Sequence, residues 1–69
     1  MFAKRLRQLR READLTQAQL AEALGATRGM IASYETGGKQ PPLDILMKIA
    51  DYFDCSIDYL VGKTDEKKV

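Results

Sequence analysis

The sequence predicts an all-α fold of five short helices. Three observations carry that expectation. Apolar residues recur at three- and four-residue spacing through successive stretches of the chain, which is the signature of helices with one buried face. Two neighbouring stretches, inside TQAQLAEALGATRGMIASYE at residues 16–35, each open on a threonine. A threonine hydroxyl can accept a hydrogen bond from an orphan N–H of the first helical turn, so Thr16 and Thr27 read as N-caps. Gly25 falls between the two, where a chain leaving a helix needs a positive φ. Helix, glycine turn, helix is the helix-turn-helix pattern.

The first helix is expected over residues 2–13. Phe2, Leu6, Leu9 and Ala13 follow helical spacing and form its buried face. Lys4, Arg5, Arg7 and Arg11 take the remaining surface. They read as a solvated face or as phosphate contacts, and the second role favours whichever side lies beside the third helix. Arg10 sits at the edge of the apolar face, next to Leu9. Asp14 follows the helix and tolerates a left-handed conformation better than most residues. In the second helix Leu20, Ala21 and Leu24 share a face, with the small Ala21 where the third helix crosses.

The third helix is expected from Arg28 to about Glu35. Ile31 and Tyr34 face the core, which leaves Arg28, Gly29, Met30 and Ser33 near the outer face. Residues 36–42, TGGKQPP, form a loop. Its backbone N–H groups, with Thr36 and Lys39, are placed to hold a phosphate. Pro42 fits the first turn of a fourth helix, and Asp44 adds a favourable charge there. Leu43, Leu46, Met47, Ile49, Ala50 and Phe53 give that helix its apolar face. Ser56 caps a fifth, which Gly62 ends. Ile57, Tyr59, Leu60 and Val61 add more apolar surface than a five-helix core can bury, so the region of the last two helices is expected to dimerise weakly. Residues 1–62 thus make one domain. The charged tail KTDEKKV, 63–69, is expected to be disordered.

Composition narrows the function. Sixty-nine residues fit one domain with a limited core. The net charge is only +1, but residues 1–35 hold six Lys and Arg against four acids, while residues 36–69 hold five against six. A mildly basic end is enough for a small domain to meet phosphates. One cysteine and no histidine exclude an internal disulfide and leave a metal site without ligands. Cys55 reads as a small core residue without a redox role. No apolar run reaches the length of a membrane span or a signal-peptide core, so a cytoplasmic protein is expected. Without histidine, a glycine-rich phosphate loop or paired carboxylates in a cleft, no enzyme and no cofactor are expected.

Taken together, Leu15-Thr16-Gln17, Leu20-Ala21, Leu24-Gly25, Ile31, Tyr34-Glu35, Gly37 and Pro41 resemble the helix-turn-helix of the phage repressor and Cro family, also called the Xre family. Leu43, Leu46, Ile49-Ala50 and Ser56-Ile57-Asp58-Tyr59-Leu60 extend the resemblance, which covers roughly Phe2 to Gly62. It implies a compact lambda-repressor-like domain that binds double-stranded DNA sequence-specifically, most often as a repressor and as a homodimer on a two-fold symmetric site. It implies base reading by Arg28, Gly29, Ser33 and Met30. It also implies phosphate contacts from Thr16, Gln17, Thr27, Thr36 and Lys39, and a structural pair of Arg10 with Glu35. The chain departs from the family at five places, one of them Cys55, where valine is usual. Asp14 and Asp54 stand where glycine is usual, and Pro42 where a serine often caps. Gly29 stands where a polar side chain is usual; it either allows close backbone approach or leaves a base pair unread. A protein-interaction module, such as an antitoxin or an antirepressor-type partner, is the alternative; the near-neutral charge and Gly29 favour it.

Overall fold

The computed structural model describes residues 1–68. Five α-helices follow in order: α1 Phe2–Glu12, α2 Gln17–Leu24, α3 Arg28–Thr36, α4 Leu43–Phe53 and α5 Ile57–Leu60. No strand occurs among the described residues.

The helix boundaries follow from local chemistry. Thr16 Oγ1 accepts a hydrogen bond from Gln19 N at 3.1 Å, and Gln19 Oε1 accepts one from Thr16 N at 2.8 Å. This reciprocal pair is a capping box, which satisfies two orphan donors at once. Thr27 Oγ1 accepts from Met30 N at 3.1 Å and so opens α3. All five helices end in the same way, with a left-handed residue after the last turn. Gly25, Gly37 and Gly62 fill that position after α2, α3 and α5. Asp14 and Asp54 fill it after α1 and α4, at φ of 57° and 53°. The following amides then reach back, as in Leu15 N to Arg10 O at 3.1 Å and Cys55 N to Ala50 O at 2.9 Å. Ala13 lies at the exposed end of α1 and takes no part in its buried face.

Each helix contributes one fully buried side chain to a common centre: Leu6, Leu20, Ile31, Ile49 and Leu60. Around them α3 packs against α1 and α2, α4 against α2 and α5, and α5 against α1. Ala21, only 3% exposed, lies in the core shared by α2 and α3. Burial stabilises these side chains, with the rest of the core, by roughly 25 cal/mol per Å² of apolar surface removed from water.

Two expectations about apolar surface change places. Of the α4 residues expected to face inward, Ile49 and Ala50 are buried, and Leu46 and Phe53 are half-buried. Leu43 and Met47 are exposed, because α4 is covered only along the stripe that meets α2 and α5. Conversely Tyr59 and Leu60 are core residues and Ile57 is half-buried, which leaves Val61 alone of that group on the surface. Tyr59 is covered by Arg5, whose guanidinium carbon stands 4.0 Å from the ring centroid.

The charged tail turns back onto the domain. Arg5 Nη1 donates to Thr64 O at 3.1 Å, and Arg5 Nη2 pairs with Asp65 at 2.8 Å. Ser56 N donates to Lys67 O at 2.6 Å. Val69, the last residue of that tail, lies outside the described residues.

Candidate nucleic-acid interface

The outward side of α3 is set by what its inward side buries. Ile31 and Tyr34 are within the core, and Tyr34 meets the ring of Phe2 edge-on at 6.4 Å. Arg28 and Gly29 are therefore exposed, and Arg28 makes no ion pair among the described residues. Ser33 is half-buried. Met30 packs against the core, which limits what its side chain can reach outside. Gly29 is not a positive-φ glycine. A Cβ there would meet only Thr27 Oγ1, at 3.9 Å, so nothing within the fold requires glycine.

The far end of α3 is held by α1 and α2 together. Glu35 is 2% exposed, the single buried charged side chain among the described residues. Its carboxylate accepts hydrogen bonds from Arg10 Nε at 2.6 Å, Arg10 Nη2 at 3.1 Å and Gln17 Nε2 at 3.2 Å. Arg10 Nη1 donates to Leu15 O at 2.7 Å, so one guanidinium ties α3 to the turn that follows α1. The carboxylate also holds the Arg10 guanidinium charged to a higher pH than usual, chiefly through their hydrogen bond. Arg7 completes the clasp from the same helix: its Nη1 donates to the backbone carbonyl of Glu35. That carbonyl lies at the negative end of α3, where a cation is favoured.

The residues expected to hold phosphates are placed unequally. Thr36, the last residue of α3, and Lys39, beyond its end, are both exposed. Thr36 Oγ1 donates to Ser33 O at 3.1 Å. The loop amides are a correction: Gly38 N and Lys39 N donate to Ser33 O at 3.0 and 3.3 Å, and Gly37 N to Tyr34 O at 3.4 Å. They close the helix and are not free donors, because an unpaired helix end seeks its own chain first. Thr16 and Thr27 use their oxygens as caps, and each is exposed. Gln17 is half-buried and its amide nitrogen is turned inward to Glu35.

Two contacts escape a reading of the sequence. The pattern Thr16-x-x-Gln19 announces a capping box and would have revealed the role of Gln19. No sequence signal separates Arg7 from the other cations of α1; its role depends on where α3 lies.

The sequence model described as "Helix-turn-helix" matches residues 6–60. The chain belongs to the helix-turn-helix family. It is 46% identical over 66 residues to the uncharacterized HTH-type transcriptional regulator YobD of Bacillus subtilis, covering 96% of this chain and 59% of that protein. It is 39% identical over 67 residues to the cryptic phage CTXphi transcriptional repressor RstR of Vibrio cholerae serotype O1, covering 94% of this chain and 60% of that protein. The chain thus spans about three-fifths of the length of the curated relatives it matches. Among solved structures it resembles the P22 c2 repressor in complex with synthetic operator 9T, with a TM-score of 0.83 and 27% identity over 87% of this chain and 91% of that one. Helix-turn-helix membership agrees with the five-helix architecture and with the order of its caps.

Proposed function

We propose that this helix-turn-helix domain is a sequence-specific DNA-binding transcription regulator, acting as a repressor with α3 in the major groove. The observation that carries the reading is a recognition-type helix fixed at both ends, with Arg28 on its open face and in no ion pair among the described residues. Kinship to named regulators and a fold shared with an operator-bound repressor support it. Arg28 stands one position into the helix, where N-terminal residues of a recognition helix meet base edges. It reads a guanine through two acceptors, with Ser33 further along the same helix, while Met30 and Gly29 contribute shape. Thr16, Thr27, Thr36 and Lys39 hold the backbone. Gln17 acts from the same helix start, oriented by its bond to Glu35.

The regulator works as a homodimer on a two-fold site, its two reading helices about 34 Å apart. The exposed apolar residues Leu43, Met47 and Val61 near α4 and α5 support pairing there. Its place of action is the cytoplasm; no described helix is long and apolar enough to cross a membrane.

The test is selection of bound sites from a random DNA pool, followed by affinities for single-base variants. Arg28→Ala should relax preference at one base pair per half-site, worth about 1–3 kcal/mol. Lys39→Ala should weaken all sequences alike and lower the salt slope by about one per subunit. An unchanged profile for Arg28→Ala refutes the base-reading assignment. Absence of any salt-dependent DNA binding refutes the function.

A further inference from the structure

Arg7 carries an inference beyond the residues assigned above. Four cations occupy the surface of α1, and their surroundings differ. Arg5 faces α5 and the tail, where Asp65 neutralises it and Tyr59 lies beneath it. Lys4 and Arg11 make no ion pair and no side-chain hydrogen bond among the described residues, and nothing orients them towards α3. Arg7 is half-buried, and its Nη1 is bonded to the carbonyl of Glu35, one residue before Thr36. That bond holds the guanidinium at the end of the recognition helix, beside the turn that carries Thr36 and Lys39.

Among the described residues, only one of the five Arg7 donors is engaged. Nε and Nη2 have no partner, and no carboxylate pairs with this guanidinium among the described residues. Among the described residues no acid compensates its charge. An arginine fixed at one nitrogen has already lost much of its side-chain freedom, so it binds a phosphate at less entropic cost than a free surface lysine. The planar fork also suits a phosphate oxygen pair.

We propose that Arg7 is an additional phosphate-contacting residue, delivered from α1 to the DNA strand that passes the end of α3. This rests on the DNA-binding reading above. Its anchor on Glu35 O serves that contact: the same group that completes the end of the helix keeps donors that have no partner among the described residues. Arg10 and Glu35 only position the helix, whereas Arg7 both positions it and touches the ligand.

The salt dependence of DNA binding separates a phosphate contact from a structural role. Affinity for a selected site would be measured from 50 to 200 mM salt for the parent, Arg7→Ala, Arg7→Lys and Arg5→Ala. Each phosphate contact contributes about 0.9 to the slope of log affinity against log salt. Arg7→Ala removes one contact per subunit and should lower the slope by about 1.8 for the homodimer, so its deficit against the parent shrinks about twelve-fold across that salt range. Arg7→Lys should keep the slope, and Arg5→Ala should leave it unchanged. An Arg7→Ala variant with the parental slope overturns the proposal, even if its affinity or melting temperature falls, because a purely structural loss releases no fewer counterions. If the parent itself shows no salt-dependent binding, the DNA-binding reading has failed and not the placement of Arg7.

Discussion

Removal of the Glu35 carboxylate tests how this small domain fixes α3. In Glu35→Ala three hydrogen bonds vanish, two from Arg10 and one from Gln17. Arg10 stays behind with its side chain 13% exposed and only the Leu15 carbonyl as partner. Breaking a buried pair from one side costs about 3–5 kcal/mol, because the remaining charge is desolvated without compensation. Arg10 keeps one charge-assisted bond and a path to water, so a loss of about 2–4 kcal/mol is expected. A chain of this size has a total stability on the order of 5 kcal/mol. The melting temperature should fall by roughly 10–25 °C, at about 4–8 °C per kcal/mol for a domain this small. Thermal unfolding followed by far-ultraviolet circular dichroism at neutral pH reads this directly. Glu35→Gln, which keeps the shape and one acceptor but not the charge, should lose less. The double variant Arg10→Met, Glu35→Leu should recover a good part of the loss, since apolar replacement of both partners leaves no orphan charge. If Glu35→Ala melts within about 2 °C of the parent, the pair does not hold α3 in place and the reasoning fails.

Gly29→Ala should raise the melting temperature: the added Cβ has room, and alanine is better than glycine inside a helix by about 1 kcal/mol. A lower melting temperature would mean that the start of α3 is packed in a way its exposure hides. Cys55 is half-buried, and burial, ahead of its charged neighbours, pushes its thiol pKa up. Less thiolate is then present at mildly alkaline pH, so a thiol reagent should label the native protein several-fold more slowly than the denatured chain. Equal rates with and without denaturant would place Cys55 on the open surface.

The sequence by itself determined where the helices start and stop. Caps and stops are local: a threonine hydroxyl bonds an amide three residues on, and a left-handed residue closes the turn before it. Thr16, Thr27 and Ser56 act as caps, and Gly25, Asp14 and Asp54 take positive φ, all within a few residues of the groups they serve. The inward sides of α1, α2 and α3 were legible for the same reason, apart from Ala13 past the last turn of α1, since helical period sorts side chains without knowledge of neighbours. Only the tertiary structure decided which apolar residues of α4 and α5 are covered. Period gives a face, but its width depends on how many helices meet it, so Leu43 and Met47 stay outside while Tyr59 goes in. Tertiary structure alone also decided the fate of the charges. Arg5 and Arg7 stand two residues apart on one helix, yet one covers Tyr59 and the other reaches Glu35 O. Consecutive helical positions diverge by about 100°, so side chains two apart point to nearly opposite sides. What each then meets depends on α5 and α3, which arrive from more than twenty residues away.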